Sequence, residues 1–113
     1  MAIFFRADNI HFEPHPKFDG VKLAKLAGKR QGSIIGVSIL SIAPGVEIPV
    51  HTHDDSVDSI YCLKGSGEIY FDGAWQPIGS GDYCLVFPKE EHGVKCASGQ
   101  ELKLFIVHSP PLF

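Results

Sequence analysis

No stretch of this 113-residue chain approaches the roughly 18 consecutive apolar residues that a membrane-crossing helix needs, so no membrane partner is expected. Met1-Ala2-Ile3-Phe4-Phe5 is apolar, but Arg6 and Asp8 interrupt it well short of a signal-peptide core. Cysteine is sparse, with three residues, an odd number, and no disulfide-like spacing. A reduced, cytoplasmic setting is the simplest reading. Basic clusters are missing too. Ten basic residues stand against thirteen acidic ones, for a net charge of −3. The densest group, Lys25 to Arg30, holds three and reads as a solvated loop rather than an anion site. A nucleic-acid partner is therefore disfavoured. Repeats, low-complexity segments and any long helical periodicity are also lacking.

What is present favours short strands. Twelve Gly and eight Pro stand among many β-branched and aromatic residues, which suits strands joined by tight turns. The length predicts one domain, 1–113, with a core that needs no disulfide or metal staple. Residues 1–20 read as an N-terminal arm, in which Ile3-Phe4-Phe5 is expected to form a short strand. His11 and His15 lie in a proline-rich turn region that cannot be a central strand, and they read as surface or arm-packing residues. Val21 to Leu26 reads as a strand. Ser33 to Ile42 is almost wholly apolar and reads as a strand buried on both faces or at a dimer interface. Asp72-Gly73 between two strand-like runs predicts a type I′ hairpin. Glu101 to His108 alternates as a last strand, with His108 at its end read as structural or exposed. The sum is eight to ten short strands, an all-β sandwich or barrel.

The chemistry concentrates in residues 45–65, around His51-Thr52-His53. On an extended strand, positions i and i+2 face the same way, so both imidazoles leave the backbone together. Paired neutral imidazoles are half of a site for a divalent transition metal. Asp58 follows after a polar break and can bring a carboxylate to the same place. Residues 81–96 hold a turn, an apolar run, Pro88 and then His92, a further donor on a separate strand. Cys62 shares the face of Asp58 and Ile60, and reads as a small core residue rather than a reactive thiol.

These residues resemble the cupin family. Its first motif, G-x5-H-x-H-x(3,4)-E-x6-G, is matched at Gly45, His51, His53 and Gly65, with Asp58 in place of Glu. Its second, G-x5-P-x-G-x2-H-x3-N, is matched at Gly81 and His92; Pro88 comes one place late, Lys89 replaces the glycine and Cys96 the asparagine. The fifteen residues between the motifs are similar to the spacing of compact microbial members. The resemblance implies a cupin double-stranded β-helix, or jelly-roll barrel, and a homodimer joined by arm exchange or edge pairing. It implies one divalent transition metal (Fe, Mn, Ni, Co or Zn) at His51, His53, Asp58 and His92. Asp is shorter than Glu, so Asp58 either coordinates after a backbone shift or acts from behind the ligands on a three-histidine site. The implied function is a mononuclear metalloenzyme of dioxygenase, isomerase or lyase type, acting on a small polar molecule in the barrel. The alternative is a non-catalytic, metal-dependent small-molecule binder or sensor. Catalysis needs a positioned acid or base, for which Tyr70, Tyr83, Cys62, Glu68 and Glu90 are candidates.

Overall fold

The structure, a computed structural model, describes residues 1–113. Ten strands form two antiparallel sheets. In chain order they are β1 (Glu13–Pro14), β2 (Val21–Ala27), β3 (Gly36–Ile42), β4 (Glu47–His51), β5 (Val57–Lys64), β6 (Ser66–Phe71), β7 (Ala74–Gly79), β8 (Tyr83–Val86), β9 (His92–Cys96) and β10 (Leu102–Ser109). One sheet runs β1-β2-β3-β10-β5-β8 and the other β4-β9-β6-β7. The inner faces pack together as a jelly roll, as the alternating pattern and the motifs predict.

Alternation decides what each strand buries. In β10, Leu102, Leu104, Ile106 and His108 are buried while Lys103, Phe105 and Val107 are partly exposed. Leu104 pairs with Leu40 on β3 and Cys62 on β5, and His108 pairs with Gly36 and Asp58. The core is one cluster whose most buried members are Ile42, Ile60, Cys62, Leu102 and Leu104. Cys62 is thus a core residue, as read.

The Asp72-Gly73 turn forms with φ of 49° and 83°, the double left-handed geometry of a type I′ hairpin, and sets Phe71 opposite Ala74. At Gly93 an added Cβ would lie 3.0 Å from the Ile48 carbonyl oxygen, so glycine lets β9 approach β4 beside His92. Two expectations fail. Ile3-Phe4-Phe5 forms no strand, because nothing pairs with it; all three residues are exposed. The long apolar run becomes a strand only at Gly36, and Ile34, 84% exposed, lies in the preceding loop.

Candidate metal centre

Motif one ends β4 and begins β5; motif two runs from β8 through a turn into β9. Antiparallel pairing sets His51 opposite His92 across β4 and β9. A hydrogen bond from the Lys89 N–H to the His53 carbonyl oxygen, 2.7 Å, ties the second turn to the first motif. Lys89 holds φ at 68°, so it keeps the left-handed backbone for which the motif uses glycine.

The donor atoms of His51, His53 and His92 lie within 4.8 Å of one another. Those of His53, Asp58 and His108 form a second, overlapping group on the same criterion. Asp58 is only 5% exposed, and its Oδ2 lies 3.1 Å from His92 Nε2, 3.3 Å from His108 Nε2 and 3.5 Å from His53 Nε2. Asp58 Oδ1 and His108 Nδ1 are buried without a hydrogen-bond partner.

Ring orientation is fixed from behind. His51 Nδ1–H donates to the Pro49 carbonyl oxygen at 2.7 Å, and His92 Nδ1–H to that of Glu90 at 3.1 Å. A neutral imidazole carries one proton, so both rings present an Nε2 lone pair inward. Tying one ring nitrogen to a carbonyl is how proteins orient a metal-ligating histidine. The His92 Nε2 stands 3.1 Å from a carboxylate oxygen, a contact that is favourable only with a proton or a cation between the two atoms. Burial lowers the His92 pKa, but the hydrogen bonds to Asp58 and Glu90 outweigh it and leave it raised. Burial likewise pushes Asp58 up, and the hydrogen bonds from His108, His53 and His92 overcome it, holding the carboxyl far below the usual range. His51, mainly through burial, sits below an ordinary histidine.

These groups share a cavity of about 380 Å³ between the sheets. Ile48, Ile60, Val94, Leu104 and Ile106 line it beyond the histidines, and His15, Lys17, Phe18, Lys25 and Phe113 line it as well. Asp58 is its one acidic residue. A larger groove of about 820 Å³, lined by Tyr83, Glu90 and residues of β7 and β8, holds no histidine. The smaller cavity is therefore the candidate site, since there the donors converge.

The fold, the two histidine-bearing motifs and their convergence agree with the family comparison: a family model described as "Cupin domain" matches residues 38–108. The chain belongs to the cupin family. The oxalate-binding protein of Thermotoga maritima is 26% identical to this cupin over 68 residues, 60% of this chain and 56% of the relative. The match therefore spans little more than half of that relative's length. A crystal structure of a predicted oxalate decarboxylase from Thermotoga maritima superimposes with a TM-score of 0.85 at 23% identity, covering 96% of this chain and 99% of the other. An RmlC-like cupin from Shewanella frigidimarina gives 0.84 at 21% identity, covering 99% and 94%. At these identities the two structures show the shared fold.

Cupins typically bind a metal, and the cluster of His51, His53, His92 and Asp58 in this cupin is able to hold one. Asp58 also forms a group with His53 and His108. His108, read as structural or exposed, is 9% exposed and lies in the second donor group, so the exposed alternative fails. The signal was the alternation itself: Leu102, Leu104 and Ile106 share a face, and His108 is the next position on it. His15 packs on Phe18 with ring centroids 4.7 Å apart, the arm-packing role read for it, and also lines the cavity. Tyr70, Tyr83, Cys62, Glu68 and Glu90 line no part of this cavity. Tyr83 pairs with Ser59 through hydroxyls 2.7 Å apart, and Glu90 accepts from the Phe87 N–H at 2.7 Å.

Proposed function

We propose that this protein is a mononuclear metalloenzyme in which His51, His53, Asp58 and His92 hold one divalent transition metal and a small carboxylate is the substrate. The observation that carries the reading is the convergence of donor atoms: those of His51, His53 and His92 lie within 4.8 Å of one another, and a buried Asp58 oxygen stands 3.1 Å from His92 Nε2, with the His92 ring fixed from behind by a backbone carbonyl. A mixed nitrogen and oxygen donor set suits Fe(II), Mn(II), Ni(II), Co(II) or Zn(II). When bound, the metal supplies a Lewis acid for a carboxylate or carbonyl oxygen.

The chain's own residues favour an anion. Lys17 and Lys25 line the cavity, Lys25 also pairing with Glu13 at 3.7 Å, and the one acidic side chain there is engaged by imidazoles. Phe18 and Phe113 give the cavity apolar wall. The name of the Thermotoga maritima relative, an oxalate-binding protein, supports a small dicarboxylate such as oxalate. A homodimer that covers the exposed Ile3-Phe4-Phe5 arm belongs to the same proposal.

A second reading, binding without turnover, is favoured by one observation: none of the five acid, base or nucleophile candidates named from sequence lines the cavity. The deciding experiment measures metal per chain by mass spectrometry on wild type and His51→Ala. Oxalate binding by calorimetry and oxalate loss over hours follow on the loaded wild type. About one metal per chain, lost in His51→Ala, with oxalate consumed, supports the enzyme. Binding without consumption supports the second reading. A wild type that takes up no metal overturns both.

A further inference from the structure

We infer that His108 is a positioning residue of the metal centre: its Nε2–H holds the Asp58 carboxylate in place beside the three motif histidines. The inference rests on the metal reading above and goes beyond it, because His108 lies outside both motifs.

Three observations carry it. First, the strands bring the pair together: His108 on β10 stands directly opposite Asp58 on β5, and directly opposed side chains are the closest cross-strand neighbours in a sheet. Second, the proton has one good place. His108 Nδ1 is buried without a partner, and Nε2 lies 3.3 Å from Asp58 Oδ2. A buried N–H left without an acceptor is costly, whereas a bond to a carboxylate is charge-assisted. We therefore place a ring proton on Nε2, the nitrogen 3.3 Å from Asp58 Oδ2. Third, His108 is the donor that survives metal binding. Three Nε2 atoms surround the same oxygen. His53 and His92 must give their Nε2 lone pairs to a metal and can then donate nothing to Asp58 from those atoms. His108 stands outside the group of His51, His53 and His92, so with an ion held by those three its Nε2 is left to donate; an ion held by His53, Asp58 and His108 instead is the outcome that the test below distinguishes.

The consequence concerns the short carboxylate. Asp58 occupies a position where the motif has the longer Glu, and its Oδ1 has no partner. A fixed donor on Oδ2 limits rotation of the carboxylate and leaves Oδ1 as the free oxygen. That is the work of an outer-layer partner, and losing such partners typically weakens metal binding about 10–100-fold.

The test uses Co(II), read by calorimetry and by its visible ligand-field bands. Wild type, His108→Leu and His108→Gln are compared, since a glutamine amide nitrogen reaches about as far as a histidine Nε2. The expected result is a Co(II) Kd raised about 10–100-fold in His108→Leu with shifted bands, and recovery of both toward wild type in His108→Gln. Should His108→Leu fail to fold, His108→Asn, whose amide is too short to reach Asp58, takes its place. Unchanged affinity and bands in the Leu variant overturn the role, as does a Gln variant no better than Leu. Loss of one histidine nitrogen coupling in both variants, seen by pulsed EPR of the Cu(II) form, makes His108 a ligand and overturns it too. Wild type that takes up no Co(II) overturns the metal centre itself; uptake that ignores position 108 overturns this role alone.

Discussion

One strand, β10, has two different ends. At Leu104 its inner face meets partly buried Leu40 and fully buried Cys62, both apolar. At His108 the same face meets Asp58, which three imidazoles surround. The first end gains stability by removing hydrocarbon from water. The second buries ionisable groups, which is unfavourable unless they satisfy one another. Two of their polar atoms remain unsatisfied. A stabilising apolar end and an ionisable end with two unpaired polar atoms thus share a strand only eight residues long.

The sharpest way to break this contrast is at the apolar end. Leu104→Ala is expected to cost about 2–5 kcal/mol in urea denaturation, since Leu104 is fully buried, while the folded fraction still binds one metal per chain. Equal damage to metal binding in folded molecules would show that the two ends are not separable. At the polar end the lever is pH. His92 must lose its proton to coordinate, and its pKa is raised above the ordinary 6.5 by Asp58 and Glu90 against the pull of burial. Metal affinity is therefore expected to fall as pH drops through that raised value, by about tenfold per unit, roughly 1.4 kcal/mol each. Decline that begins only well below pH 6.5 would mean that His92 does not govern binding. Calorimetric titration between pH 5.5 and 8.5 reads the onset.

The smallest effect lies at the rim, where Lys89 holds a left-handed backbone. Lys89→Gly relieves that conformation at some entropic cost to the unfolded chain, for a net gain of about 0.5–1 kcal/mol in thermal melts. Metal affinity should not change, because the bond that the turn makes to His53 uses only backbone. A loss of stability would place the Lys89 side chain in a role beyond the turn.

Much of this was legible in the residues. Alternation in β10, the Asp72-Gly73 turn and the two motif spacings announce strands, a hairpin and a barrel with histidines on its inner face. Local rules account for these, since each feature is decided by a few adjacent residues. The misses are places where distant partners decide. Ile3-Phe4-Phe5 has strand-like residues but no strand beside it to accept its backbone bonds. Ile34 is apolar but precedes the pairing that begins at Gly36. His108, read as structural or exposed, is buried opposite Asp58, a residue of another strand that only register brings there.

The position of β10 also sets an order of events. It fills the slot between β3 and β5 and pairs with both, yet those two strands precede it in the chain by dozens of residues. Until residues 102–109 exist, the large sheet is two separate pieces with facing edges unpaired. Such long-range closure is slow, and bare edges invite pairing with other chains. A ribosome making this protein therefore carries an unfinished sheet until β10 emerges. Agents that cover strand edges during synthesis should raise its yield more than agents that stabilise the finished fold.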